Sequence, residues 1–221
     1  MELIGRGRDA DVFALDGFRV LRRYRDGGPA GEEARLMAYL AEHGCPVPRV
    51  HDVSGADMVM DRLTGPTMAQ DLGRRPWRAY AHGRTLGRLQ AALHRVPAPG
   101  WLPRRFPTGR TGDERVLHLD LHPENVVLTP GGPVVIDWRS AAAGDPAADA
   151  ALTVAVLRGV VLGGMQRAGV RVLLRGFLRD CAVDPAPRLA EAVAARLGDP
   201  NLRPEEAERL RRLSRRAPDG N

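Results

Sequence analysis

Short apolar runs broken by turn residues fill the first third of the chain. Residues 3–4, 10–15 and 18–24 read as strands, the last two joined at Asp16-Gly17, a dipeptide typical of hairpins. Over residues 29–43 the apolar positions recur at helical spacing, and Gly44 stops the helix as a C-terminal glycine does. Residues 49–53 and 57–60 predict a second hairpin around Ser54-Gly55. At Leu63-Thr64-Gly65-Pro66 the strand pattern ends, which divides the chain into residues 1–64 and 65–221. The second part is mostly helical, with helices expected over 68–72, 77–94, 146–162, 167–181, 185–197 and 204–216 and an irregular loop over 97–111. Within it, apolar runs at 126–128 and 134–136 bracket Thr129-Pro130-Gly131-Gly132 and predict one more hairpin.

Composition narrows the class. Hydrophobic residues make up 43% and charged residues 27% of the 221, an ordinary globular balance. The longest apolar stretch, residues 150–157, is far shorter than the roughly 18 residues of a membrane span, so no membrane partner is expected. Two cysteines, Cys45 and Cys181, cannot build a disulfide framework, and no charged-then-apolar leader is read, which together point to the cytoplasm. The formal charge is +6, and all 33 basic residues are arginine. They are spread along the chain with few aromatic neighbours, which argues against a nucleic-acid surface.

The chemistry concentrates in His118-Leu119-Asp120-Leu121-His122-Pro123-Glu124-Asn125, of the form His-x-Asp-x-x-x-x-Asn, with Asp137 ending the next apolar run. Asn125 is the only asparagine outside the C-terminal tail. Phosphoryl transfer from a nucleotide needs a carboxylate at the attacking hydroxyl and hard oxygen ligands for Mg²⁺. One loop holding Asp120 and Asn125, with Asp137 on the adjoining hairpin, supplies that set. Taken singly, each of His118, Asp120, Asn125 and Asp137 reads better as a turn, cap or core group; the spacing of the four together is what points to the chemistry.

The N-terminal part offers a matching half. Gly5-Arg6-Gly7-Arg8-Asp9-Ala10-Asp11-Val12 lies between two strands where a glycine-rich flap would cover phosphates, and it lacks the Gly-Lys-Ser/Thr of a Walker loop. Arg22 ends the next strand. On the following helix Leu36, Met37 and Leu40 form the apolar stripe, and at 100° per residue Glu33 falls at its centre. An acid there needs a partner, and Arg22 is the candidate. A place near the helix start is the alternative reason for Glu33.

These stretches, with Val47-Pro48-Arg49-Val50, residues 58–63, Val135-Ile136-Asp137-Trp138, Gly144-Asp145-Pro146 and Asp149, resemble the aminoglycoside phosphotransferase family of small-molecule kinases over residues 1 to about 155. The resemblance implies an α+β, two-lobed protein-kinase-like fold: a small antiparallel N-lobe sheet with one helix, and a mainly helical C-lobe carrying a catalytic-loop hairpin. It implies ATP- and Mg²⁺-dependent transfer of the γ-phosphate to a hydroxyl of a small-molecule acceptor. By residue, it implies Asp120 as catalytic base and Asn125 and Asp137 as metal ligands. Gly5, Gly7 and Ala10 would form the phosphate flap, Arg22 and Glu33 the ion pair at the phosphates, and Asp61, Arg62 and Leu63 the hinge at adenine. His118 and Asp149 would brace the loop. Two positions depart from the family pattern: Arg22 stands where lysine is usual, and Ala10 at the third flap glycine. The first keeps open a nucleotide-binding pseudokinase acting through partners. Residues 146–221 hold 13 Arg against nine acids, which disfavours a polycationic acceptor. Oligomeric state and acceptor identity stay open.

Overall fold

The computed structural model describes residues 1–7, 9–28, 30–109, 112–199 and 202–214. Arg8 of the flap, the expected helix start at Pro29, loop residues 110–111 and the expected helix end at 215–216 lie outside the described residues. Along the chain run β1 (Glu2–Arg6), β2 (Ala10–Ala14), β3 (Arg19–Tyr24), α1 (Ala30–Glu42), β4 (Val50–Ser54), β5 (Asp57–Asp61), α2 (Met68–Arg74) and α3 (Ala79–Leu93). There follow β6 (Arg115–Leu117), β7 (Val126–Thr129), β8 (Gly132–Val135), β9 (Ala142–Gly144), α4 (Pro146–Gly159), α5 (Gly164–Asp180), α6 (Leu189–Leu197) and α7 (Pro204–Ser214). The architecture is mixed, an antiparallel sheet in the N-terminal region and helices in the C-terminal region. The chain forms two compact units, Met1–Thr67 with Asn125–Arg139, and Met68–Glu124 with Ser140–Asn221.

In the first unit the strand order is β1-β2-β3-β5-β4, every neighbour antiparallel. The β2–β3 hairpin forms where Asp16-Gly17 predicts it, but not through a two-residue turn. Asp16 Oδ1 accepts the N–H groups of Phe18 and Arg19 at 2.8 and 2.7 Å, so a side-chain-capped loop replaces the positive-φ glycine turn. Helix α1 lays Leu36, Met37 and Leu40 into the core, and Gly44 at φ 74° ends it. The β7–β8 hairpin belongs to this unit: Val135 N–H donates to Pro46 O at 2.8 Å and Leu128 N–H to Pro66 O at 2.9 Å.

In the second unit α4 is buried around its whole circumference from Ala148 to Leu157, as its nearly unbroken apolar run requires. Helices α6 and α7 pack against it, and α3 packs along α5. The loop at 97–109 is not loose: Arg105 N–H donates to Ala143 O at 2.8 Å, and Pro97 and Arg104 form bridges to Arg115 and Ala143. Strand β9 pairs with β6 although Ala-Ala-Gly carries no strand signal. The glycine is required there, because a Cβ on Gly144 would stand 1.9 Å from the carbonyl oxygen of Arg105.

Candidate active site

In the first unit the flap residues lie on the β1–β2 hairpin. Gly5 faces Val12 across the strand pair, Gly7 N–H donates to Ala10 O at 2.8 Å, and Ala10 is buried opposite Tyr24. Arg22 sits mid-strand on β3, between Val12 and Met58, with its side chain only 12% exposed. Its guanidinium splits between two acids. Nη1 donates to Glu33 Oε1 at 3.1 Å and Nη2 to Asp137 Oδ1 at 2.7 Å. A planar fork does this without turning, whereas a lysine ammonium offers one point charge.

Glu33 is buried at the start of α1, the position its place in the apolar stripe predicts. Beyond Arg22 it accepts the Trp138 N–H at 3.0 Å and the Tyr24 hydroxyl. Burial pushes its carboxyl up, the Arg22 charge pulls it back and the Asp137 charge adds to the rise; the net direction is up. Burial alone would lower the Arg22 guanidinium, but the charges of Glu33 and Asp137 more than offset that and hold it protonated. Tyr24 was not foreseen in this role. It follows Arg22 by two residues and so shares its face of β3, and its ring lies under both Arg22 and Arg139, at 5.0 and 5.3 Å. An aromatic with a polar tip at that spacing was the signal available.

Asn125 and Asp137 are brought together by the hairpin register. Val126 pairs with Val135, and Ile136 N–H donates to the Asn125 carbonyl at 3.0 Å. Asp137 takes φ 66°, an unusual conformation for a side-chain-bearing residue, and its carboxylate is 45% exposed. The two supply one carboxylate and one amide, hard oxygen donors. Among the described residues no group of three or more His, Cys, Asp or Glu could hold a metal by itself. A pair of oxygen ligands without a protein cage fits Mg²⁺ arriving with nucleotide phosphates and water. At the expected hinge, Asp61 is occupied by its neighbours, taking His51 Nε2 at 2.7 Å, and Arg62 N–H donates to Phe18 O at 2.7 Å. Leu63 follows, and its backbone makes no hydrogen bond among the described residues.

Asp120 lies in the second unit, half-buried, on the loop after β6. Its N–H donates to His118 Nδ1 at 3.3 Å, and its Oδ2 lies 3.6 Å from His122 Nε2. Burial pushes its carboxyl up, but the neighbouring His122, His118 and Arg196 outweigh this and hold it below the usual carboxylate range. The loop is pinned from beneath by Asp149. Its Oδ1 accepts Leu119 N–H at 2.7 Å, while Oδ2 accepts His118 N–H at 3.3 Å and His94 Nε2 at 2.8 Å. Leu119 is thereby held at φ 63°. The bracing by Asp149 is thus direct, and His94 is the partner that sequence reading missed.

An antiparallel sheet with a buried Arg–Glu pair, and a helical unit presenting a pinned Asp loop, define a kinase-like phosphotransferase. The description of the phosphotransferase enzyme family matches residues 1–114 and 98–180, so the chain belongs to that family. Solved structures share the fold. Aminoglycoside phosphotransferase APH(4)-Ia, as a thermostable mutant in ternary complex with AMP-PNP and hygromycin B, superposes with TM-score 0.68 at 18% identity, covering 97% of this chain and 92% of that one. A choline/ethanolamine kinase family protein from Mesorhizobium loti gives 0.59 at 18%, covering 96% and 85%. Macrolide 2'-phosphotransferase MphH from Brachybacterium faecium gives 0.55 at 21%, covering 100% and 92%. No match is found among curated proteins.

Proposed function

We propose that the protein transfers the γ-phosphoryl group of ATP, presented with Mg²⁺, to a hydroxyl of a small molecule. The observation that carries this reading is the Arg22 fork, which joins Glu33 and Asp137 through one buried guanidinium. Arg22 supplies the fixed positive charge for the α- and β-phosphates, and Glu33, Tyr24 and Trp138 set its direction. The Gly5–Gly7–Ala10 flap covers the phosphates, and the hinge at Asp61, Arg62 and Leu63 meets adenine through the Leu63 backbone, the Asp61 and Arg62 N–H groups being taken by Arg49 O and Phe18 O. Asn125 and Asp137 hold Mg²⁺, which when bound neutralises charge on the phosphates. Asp120 orients the acceptor hydroxyl and takes its proton. His94 and Asp149 keep the Asp120 loop in one conformation, so that catalysis is positioning and charge compensation. The relatives include proteins named for aminoglycosides and macrolides, and between such acceptors the excess of arginine over residues 146–221 favours the one that is not a polycation. Two free cysteines, and no described helix long and apolar enough to cross a membrane, support a cytoplasmic location.

The test is a calorimetric and thermal-shift titration with ATP, with and without Mg²⁺, beside Asp137→Asn, which keeps the shape and tolerates positive φ. Ligand at 100 times its Kd adds about 2.7 kcal/mol of stability. Magnesium-dependent stabilisation, lost in the variant, is the expected result. Binding indifferent to magnesium would favour a pseudokinase acting through partners, prompted by Arg22 in place of lysine. No stabilisation by ATP at all would refute the reading.

A further inference from the structure

The residues matched by the family description end at 180, so α6 and α7 lie beyond it. Both nevertheless pack against α4, with Ala155, Val193 and Leu210 as a buried cluster. One charged side chain of α6, Arg196, is largely withdrawn from water at 15% exposure. A guanidinium in that position needs partners for its N–H groups. Nε and Nη2 lie 3.4 and 3.2 Å from Glu206 Oε1, and Nη1 lies 3.0 Å from Asp199 Oδ2. The same Nη1 stands 3.9 Å from Oδ1 of Asp120. The other Asp120 oxygen is the one that faces His122, at 3.6 Å. Each oxygen of the carboxylate therefore has its own nitrogen neighbour, the His122 ring on the loop itself and the Arg196 guanidinium on a helix outside the family-matched region.

We propose that Arg196 is a positioning residue for Asp120: clamped by Asp199 and Glu206, it fixes the carboxylate from the side that His122 does not reach, and so ties α6 and α7 to the reaction. The proposal rests on the reading of Asp120 as the group that meets the acceptor hydroxyl. The clamp matters because an arginine with three rotatable partners would wander, whereas one held by two acids presents its third contact at a fixed point. A different role is a plain clip between α6 and α7 through Glu206, with Asp120 nearby and indifferent. The two roles separate on the Asp120 proton. The titratable and charged groups facing Asp120 are His118 and His122 on its own loop and Arg196 on α6, with Asp199 and Glu206 tempering Arg196. Removing the guanidinium takes away one of the charges favouring the ionised carboxyl, which raises its pKa.

The full chain is labelled with carboxyl-¹³C aspartate and titrated by NMR, the Asp120 signal being assigned with Asp120→Asn. In Arg196→Gln the Asp120 midpoint is expected to rise by about one pH unit, the lower end of what an adjacent cation contributes. Arg196→Lys, which keeps the charge, should recover much of the difference. Because Arg196→Gln strands two half-buried acids, a second variant removes all three groups together: Arg196→Met with Asp199→Asn and Glu206→Gln. Loss of the two acids by itself lowers the midpoint, so the triple variant is compared with Asp199→Asn plus Glu206→Gln and should lie above it. An unmoved midpoint in folded Arg196→Gln, or a triple variant no higher than that double variant, overturns the proposal and leaves the clip. The readout needs no acceptor and no turnover. If the midpoint moves while the wild-type chain fails to bind Mg·ATP, the phosphotransferase role of Asp120 falls and the Arg196 coupling stands.

Discussion

Asp149→Asn probes how the Asp120 loop is held. Three N–H donors converge on the buried Asp149 carboxylate, from Leu119 at 2.7 Å, His94 at 2.8 Å and His118 at 3.3 Å. Asparagine of the same shape keeps one acceptor oxygen and sets an NH₂ where the other stood, so the NH₂ faces either the Leu119 N–H or, on the other side, the His118 N–H and a His94 ring that must move its proton to accept. A hydrogen bond to a charged group contributes about 1.5–3 kcal/mol, and stranding one member of a buried charged set costs about 3–5 kcal/mol. The expected loss at neutral pH is therefore about 3–5 kcal/mol. Its pH dependence has a definite sign. Burial pushes the Asp149 carboxyl up, but His94, His118 and the Leu119 N–H outweigh burial and bring it below its ordinary value. The folded carboxyl thus binds its proton less tightly than the unfolded one. Its contribution is complete above the unfolded value of about 3.9 and is lost as pH falls through the folded value. Urea unfolding of both proteins at a series of pH values, with unchanged slopes, measures this. The gap should be widest near neutrality and narrow on the acid side. A gap under about 1 kcal/mol, or one that does not change with pH, would refute the reasoning.

Other changes test neighbouring parts of the structure. A Cβ on Gly83 of α3 would stand 2.0 Å from the Leu173 carbonyl oxygen, and one on Gly176 of α5 2.2 Å from that of Tyr80. Gly83→Ala or Gly176→Ala should cost about 3 kcal/mol, the upper end of overpacking, and lower Tm by about 6–12 °C; thermal melts within about 2 °C of wild type would show that the two helices can part freely. Arg22→Met strands Glu33 as a buried acid and should cost about 3–5 kcal/mol in denaturant unfolding, much of it recovered by adding Glu33→Gln. If the double variant is no more stable than the single one, the pairing is not what holds Glu33.

What was legible in the sequence had a local cause. The hairpins follow from alternation and turn residues, α1 from its period and its closing glycine, and the burial of Glu33 from its angle in the apolar stripe. The His118–Asn125 loop and Asp137 were visible as spacing. What was not legible depends on contacts between distant parts of the chain. Arg22 reaches Asp137, 115 residues further along, and nothing local to either announces the second arm of the fork. His94 is an ordinary residue at a helix end until Asp149 arrives beneath it, and Arg196 one arginine among 33 until α6 packs on α4. Strand β9 escaped because its glycine answers to space beside Arg105, its alanines are buried, and none of the three answers to strand propensity.

Phosphoryl transfer itself is the most direct measurement. Wild-type protein and Asp120→Asn are incubated with Mg·ATP and a panel of hydroxylated small molecules, an aminoglycoside, a macrolide and an amino alcohol among them, and ³¹P NMR follows phosphomonoester formation. The wild-type chain should phosphorylate a hydroxyl of at least one acceptor class, and Asp120→Asn should be slower by about 10²–10⁴-fold, the usual contribution of a positioned base. Transfer by Asp120→Asn at the wild-type rate would contradict the account.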